Sequence, residues 1–201
     1  MYNEAMGTYL FVDGENFLKY VEDALIQSGV PKNKIDTTQI DISSLVSIAF
    51  PHVRIAKRLF YAARLKVFEE TKEKSLELIR KQRILKTNLE KQGFEFIISG
   101  NVRPQKIVRN GKQKLVFKEK GVDVRIAVDM VSLSCDKVID TAILCSSDSD
   151  LQPAVKEIKK RGVNVIYLGF ETSPNKGLTF TTNKTVLFRN HEILKVCPPV
   201  K

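Results

Sequence analysis

Tyr9-Leu10-Phe11-Val12-Asp13-Gly14-Glu15-Asn16 is a short apolar run that stops at a carboxylate and a glycine and then turns amphipathic. Four consecutive apolar residues, without polar alternation, describe a strand covered on both faces, the pattern of a parallel sheet. The same punctuation recurs at Leu59 to Ala63, Phe94 to Ile98, Thr141 to Cys145 and Val163 to Leu168. Between these runs lie helical periodicities at Glu15 to Gln27, Ile40 to Ala49, Glu69 to Gln92, Val122 to Ser134 and Leu151 to Arg161. Strand and helix alternate, which predicts an α/β fold with a mainly parallel, doubly wound sheet.

Two stretches depart from this rhythm. Asn110-Gly111 is the dipeptide best suited to the positive φ angles of a two-residue turn, so Gln105 to Arg109 and Lys114 to Lys118 are read as an inserted β-hairpin. The segment Thr172 to Lys184, rich in Thr, Asn and Gly, reads as mostly loop, with a short strand near Val186 to Phe188. No repeat, low-complexity tract or linker divides the chain, and its 201 residues, 43% of them apolar, suit one domain over residues 1–201.

Composition narrows the chemistry. Lys and Arg number 33 against 23 Asp and Glu, a formal charge of +10 that favours polyanionic partners. No run approaches the ~20 apolar residues of a membrane span, and Met1 to Met6 do not open a signal peptide. Cys135, Cys145 and Cys197 are odd in number and lack CxxC spacing, so the expectation is a cytoplasmic protein with reduced thiols and no membrane partner. With only His52 and His191 available, a metal site would use oxygen ligands, which suits Mg²⁺ or Mn²⁺. The composition is compatible with a homo-oligomer as well as a monomer.

Asp13 and Asp148 each follow an apolar strand, and parallel strands bring their carboxyl ends to one edge, where ligands of open α/β sheets bind. Helix capping is the competing role for Asp13, and for Asp150, which stands just before Leu151 with Pro153 in the first turn. In the helix Val122 to Ser134, the polar stripe is Arg125, Asp129, Ser132 and Asp136. At about 100° per residue, Asp123 points almost opposite that stripe, together with Ala127, Met130 and Ser134, and so towards the sheet. Lys120 is a candidate ion-pair partner for it, while Asp129 is read as a solvated i, i+4 pair with Arg125. Three converging carboxylates would repel by about 4 kcal/mol per pair at 4 Å with an effective dielectric near 20, a conflict that a divalent cation removes. Arg103, Lys106, Arg109, Lys112, Lys114, Lys118 and Lys120 run through the hairpin into Asp123. They read as a phosphate-tracking arm for RNA, against the alternative of a lysine-protected sheet edge.

Taken together, Phe11-Val12-Asp13-Gly14-Glu15-Asn16, Lys120-Gly121-Val122-Asp123-Val124 with Asp129 following, and Ser146-Ser147-Asp148-Ser149-Asp150-Leu151 resemble the NYN domain family, the LabA-like branch of the PIN-like nuclease superfamily. The resemblance implies a Rossmann-like, PIN-type three-layer sandwich and Mg²⁺- or Mn²⁺-dependent RNA hydrolysis. On it, Asp13, Asp123 and Asp148 match the family's acidic positions and Asn16 the asparagine after the first strand. Where similar proteins read Ser-Gly-Asp-x-Asp-Phe, this chain has Ser147 and Leu151, which alters loop shape and leaves the carboxylates in place. The resulting expectation is an endoribonuclease in which Asp13, Asp123 and Asp148 hold the ion. Asp150 or Asn16 orients water or the loop, and Lys120 meets phosphate. Two rivals are a regulatory nucleic-acid-binding module with little catalysis, and a haloacid-dehalogenase-type phosphatase. The latter needs a second Asp two residues after Asp13, where this chain has Glu15.

Overall fold

The computed structural model describes residues 6–109 and 112–200, the side chains of residues 104, 106–109 and 112–115 excepted. The first strand, β1 (Gly7–Asp13), runs straight into α1 (Gly14–Gln27). There follow α2 (Ile42–Ala49), β2 (Ile55–Arg64), α3 (Lys72–Lys91), β3 (Glu95–Arg109), β4 (Lys112–Lys120) and α4 (Val122–Cys135). The chain ends with β5 (Ile139–Cys145), α5 (Gln152–Lys160), β6 (Asn164–Phe170), α6 (Lys176–Thr181), β7 (Lys184–Phe188) and α7 (Asn190–Val196). The seven strands form one sheet in the order β4-β3-β2-β1-β5-β6-β7. Every pairing is parallel except β3 with β4.

Strand alternation divides the apolar residues between two layers. Leu10, Val12 and Phe60 face one side, where Phe17, Val21, Ala24 and Leu25 of α1 pack with α2, α3 and α7. Tyr9, Phe11 and Tyr61 face the other, against Val122, Ile126 and Met130 of α4, with α5 and α6 beside them. The result is the three-layer sandwich expected from the unalternated strands. The sheet reverses direction of winding between β1 and β5: β1 connects through α1 and α2 to β2 on one face, whereas β5 connects through α5 to β6 on the other. Such a switch point leaves a crevice at the carboxyl ends of the two central strands. Among the described residues no helix is long and apolar enough to cross a membrane.

Several details differ from the sequence reading. The strand Phe94 to Ile98 and the first hairpin arm are one continuous strand, β3, of 15 residues. The hairpin is also longer than foreseen, with Asn101 already paired to Lys120; its Asn110-Gly111 turn lies outside the described residues. Thr172 to Lys184 is not all loop, because Asn175 caps α6 by accepting from the Leu178 amide at 2.8 Å and Leu178 is fully buried. The terminal helix α7 was not anticipated. Its first turn is closed by Glu192, whose carboxylate accepts from the Arg189 amide at 2.9 Å.

Gly14 is where the first layer meets the sheet most closely. A Cβ built on it would lie 2.5 Å from both the Phe60 ring and the Tyr61 carbonyl oxygen, so α1 can start at the end of β1 only because this residue lacks a side chain. Gly14→Ala should therefore push α1 off β2 at a cost of roughly 1–3 kcal/mol, the range for overpacking. The melting temperature of a chain this size should fall by about 2–4 °C per kcal/mol. A thermal melt by circular dichroism checks this, and an unchanged midpoint would mean that the contact gives way without cost.

Candidate metal and nucleic-acid site

Register sets the centre of the site. Val12 pairs with Cys145 across β1 and β5, so Asp13 and Ser146 leave the sheet side by side. Asp13 is buried, 7% exposed, and caps α1: its Oδ1 accepts from the Asn16 amide at 3.2 Å and its Oδ2 from the Ser146 hydroxyl at 2.9 Å. The Ser146 oxygen in turn accepts from the Asp148 amide at 3.1 Å. Asn16 reaches across the switch point, its Oδ1 accepting from the Ser147 amide at 2.9 Å. The acidic turn is thus fastened to β1 and α1 at two points. On its far side, Asn175 donates to the Ser147 carbonyl at 2.8 Å.

The turn itself is a single 3-10 turn, Ser149–Leu151, whose cap is Asp148, with Oδ1 accepting from the Asp150 amide at 2.9 Å. Asp150 does not cap the following helix as its position suggested. No side chain caps α5, because Asp148 takes the capping role one turn earlier and leaves the Asp150 carboxylate exposed. Carboxylate oxygens of Asp123, Asp148 and Asp150 all lie within 4.8 Å of one another. Asp13 is outside that tight group but lines the same crevice, of about 510 Å³, with Asn16, Asp123 and Asp148.

Asp123 arrives by way of the hairpin. Because β4 runs antiparallel, it ends at the carboxyl edge of the parallel strands, with Lys120 opposite Asn101 and Asn101 opposite Arg64. Gly121, at φ +92°, then turns the chain into α4, a left-handed conformation that suits glycine. The buried stripe of α4 is Val122, Ile126, Met130 and Ser134. Asp123 stands one residue round from it, half-buried, and opens into the crevice instead of lying beneath the helix. The outer face is less polar than the stripe implied, since Val124 is 60% and Val128 53% exposed. Asp129 turns away from the crevice, bonded to Arg125 at 2.7 Å and to the Tyr61 hydroxyl at 3.0 Å.

Lys118 and Lys120 are exposed and line the crevice, and Arg103, paired in register with Lys118, is exposed on β3. The side chains of Lys106, Arg109, Lys112 and Lys114 lie outside the described residues. Sequence reasoning missed an acidic pair at the same crevice. Glu119 and Glu15 share a hydrogen bond, and burial, with the charges of Glu15 and Asp13 behind it, pushes the Glu119 carboxyl up to about 9. The available signal was strand alternation: Glu119 shares a face of β4 with Phe117, opposite Lys118 and Lys120, so it points inward from a lysine-rich stretch.

Burial also raises Asp13, from 3.8 to about 6, against the lowering effect of its Asn16 and Ser146 hydrogen bonds. An all-oxygen donor set in which carboxylates crowd within 4.8 Å fits a hard divalent cation, whose oxygen ligands stand at roughly 2.0–2.6 Å and so up to about 5 Å apart. The donors suit Mg²⁺ or Mn²⁺ and, with no Cys or His among them, not a structural zinc.

A family model of the NYN domain matches residues 7–186. No curated protein matches. Among solved structures, the chain is similar to the crystal structure of a protein of unknown function, VPA0982, from Vibrio parahaemolyticus RIMD 2210633. The TM-score is 0.53 at 20% identity, over 93% of this chain and 96% of that one, which supports the fold alone.

The raised Asp13 carboxyl gives a pH dependence. A group that binds its proton more tightly when folded stabilises the protein fully below its unfolded value of 3.8, and that contribution is lost as pH rises through about 6. Chelator-treated protein should therefore lose stability, up to about 3 kcal/mol for two units at 1.36 kcal/mol each, between pH 4 and 6.5. Asp13→Asn should flatten this limb, and saturating Mn²⁺ should reverse it. Urea melts across that range are the measurement; a variant with the wild-type slope would remove Asp13 as the cause.

Proposed function

Because the chain belongs to the NYN domain family, within the PIN-like nuclease superfamily, we propose that it is an endoribonuclease, a single domain over residues 1–201 that hydrolyses RNA phosphodiester bonds with Mg²⁺ or Mn²⁺. The observation that carries this reading is the cluster of Asp123, Asp148 and Asp150 within 4.8 Å, beside the buried Asp13. Asp123 and Asp148 would hold the ion with Asp150 as third carboxylate, and Asp13 would act on it directly or through water. When bound, the ion lowers the pKa of a water molecule and offsets charge developing on a phosphate oxygen.

The protein's own groups do the rest. Asn16 and Asn175 hold the Ser147 backbone from both sides, which fixes the acidic turn before substrate arrives. The Ser146 hydroxyl, shared between Asp13 and the Asp148 amide, keeps the two aspartates in one frame. Lys118 and Lys120 at the lip draw phosphate towards a crevice whose carboxylates would otherwise repel it. Asp150, exposed and free of a capping role, would keep its second carboxylate oxygen to accept a hydrogen bond from water. No protein nucleophile is required.

Asp148→Asn should abolish Mn²⁺-dependent cleavage of a short RNA, by more than the about 10–100-fold of changes one layer out from a metal, while the circular dichroism spectrum stays unchanged. RNA binding with no cleavage in Mg²⁺ or Mn²⁺ would favour the regulatory module instead. The hairpin lysines make a separate prediction. If about four basic side chains neutralise phosphates, log affinity should fall with log salt at a slope of roughly −3, and replacing Lys106, Arg109 and Lys112 by Ala should flatten it by about 2. An unchanged slope would leave those residues as protection for a sheet edge.

A further inference from the structure

A second cavity, of about 730 Å³, adjoins the acidic crevice, and Glu15, Lys19 and Glu119 line both. It lies between α1, α3 and the base of the hairpin. Phe60 and Phe96 of the sheet form its floor, stacked with ring centroids 5.3 Å apart. Leu18 of α1, Leu78 of α3 and Phe117 of β4 form its walls. Phe60 is fully buried, but Phe96, Leu18, Leu78 and Phe117 are only half-buried, so they present apolar surface to a concave space. The volume falls in the roughly 300–1,000 Å³ range of sites for small organic groups.

The polar lining selects among occupants. Glu15, Glu22 and Asp36 stand there with Lys19, Lys32, Lys74 and Lys81, while the raised Glu119 carboxyl is neutral near pH 7. Lys32 and Lys81 are held by Glu22 and Glu77 at 2.7 and 2.6 Å, so this lining, with few free charges and both signs among them, does not favour an anion or an acyl chain. It suits a neutral planar group that carries both hydrogen-bond donors and acceptors on its edge. Phe117 supplies an aromatic wall, with the Lys74 ammonium 5.4 Å from its ring centroid. The shared Glu15–Glu119 carboxyls stand where such a group would emerge into the crevice.

We propose that this cavity receives the nucleobase of an unpaired nucleotide whose neighbouring phosphate lies in the acidic crevice. The proposal rests on the ribonuclease reading above for the position of that phosphate. A base in a duplex has both faces stacked and its pairing edge occupied, so only an unpaired or extruded base can turn into a side cavity, and aromatic walls then hold it regardless of sequence.

The test uses short RNAs carrying 2-aminopurine at successive positions, bound to the full chain in Ca²⁺, with affinity read by anisotropy and base environment by fluorescence. The expected result is a fluorescence change at one position of a single strand, absent in the same sequence as a duplex, with tighter binding of the single strand. Leu78→Trp and Leu18→Trp, which fill the cavity from α3 and from α1, should each weaken single-strand binding about tenfold, as the loss of one base stack does. Neither should change the thermal shift produced by Mn²⁺ alone. Equal affinity for single strand and duplex, or both variants binding RNA as wild type does, overturns the proposal. A position-specific fluorescence change in a protein that shows no Mn²⁺ shift and no cleavage would sink the nuclease reading and leave the base site standing. A Mn²⁺ shift with cleavage but no such change would do the reverse.

Discussion

The buried hydrogen bond from Ser146 to Asp13, 2.9 Å long, joins the ends of the two central strands at the point where the sheet reverses its winding. Parallel pairing of β1 with β5 dictates that these residues emerge together. Once they do, the first carboxylate of the crevice and the acidic turn share a frame, because the same hydroxyl oxygen receives the Asp148 amide. A one-residue slip in that register would turn the inward faces of β1 outward, exposing Leu10 and Val12 or Phe11 to the wrong layer. Core packing and site geometry are therefore enforced by the same pairing.

That frame concentrates negative charge where water is scarce. Asp13 would be costly to ionise at 7% exposure, and its two hydrogen bonds only partly offset burial, so its carboxyl stays raised to about 6. Glu119, facing Glu15 and Asp13, is raised further. A fold that selects for stability alone would replace such groups by apolar ones of similar volume, since buried charge clusters contribute little net stability. Their presence at a strand-end crevice, with lysines at the lip, is the pattern of a functional site.

How much of this was legible depended on whether a feature is local. The consecutive apolar runs of β1, β2, β5 and β6 carry the fold in their own sequence, as does the placement of Asp13 and Asp148 at strand ends. The short helices α6 and α7 were not legible from periodicity. At six and seven residues, they depend on a cap and on one or two buried side chains, Leu178 in one and Ile193 and Val196 in the other. The proximity of Asp150 to Asp123 was hidden for a different reason. It turns on which of two aspartates caps the 3-10 turn, a role that either can fill. The Glu15–Glu119 pair joins residues more than a hundred positions apart, and no local pattern couples them.

The hairpin shows why that long-range pair matters. Beyond Asn101, β3 has no parallel neighbour, since β2 ends at Arg64, and the outer arm is a two-stranded ribbon. Such ribbons are marginal alone in water. What steadies the base of this one is its packing over the crevice: Glu119 is turned inward towards Glu15, while Phe117 packs against Phe68 at 6.3 Å. Asp123 follows only four residues after Glu119, across the left-handed turn at Gly121. The position of Asp123 is set by strand pairing on one side of that turn, Lys120 with Asn101, and on the other by Val122 and Ile126, which seat the first turns of α4 against the sheet.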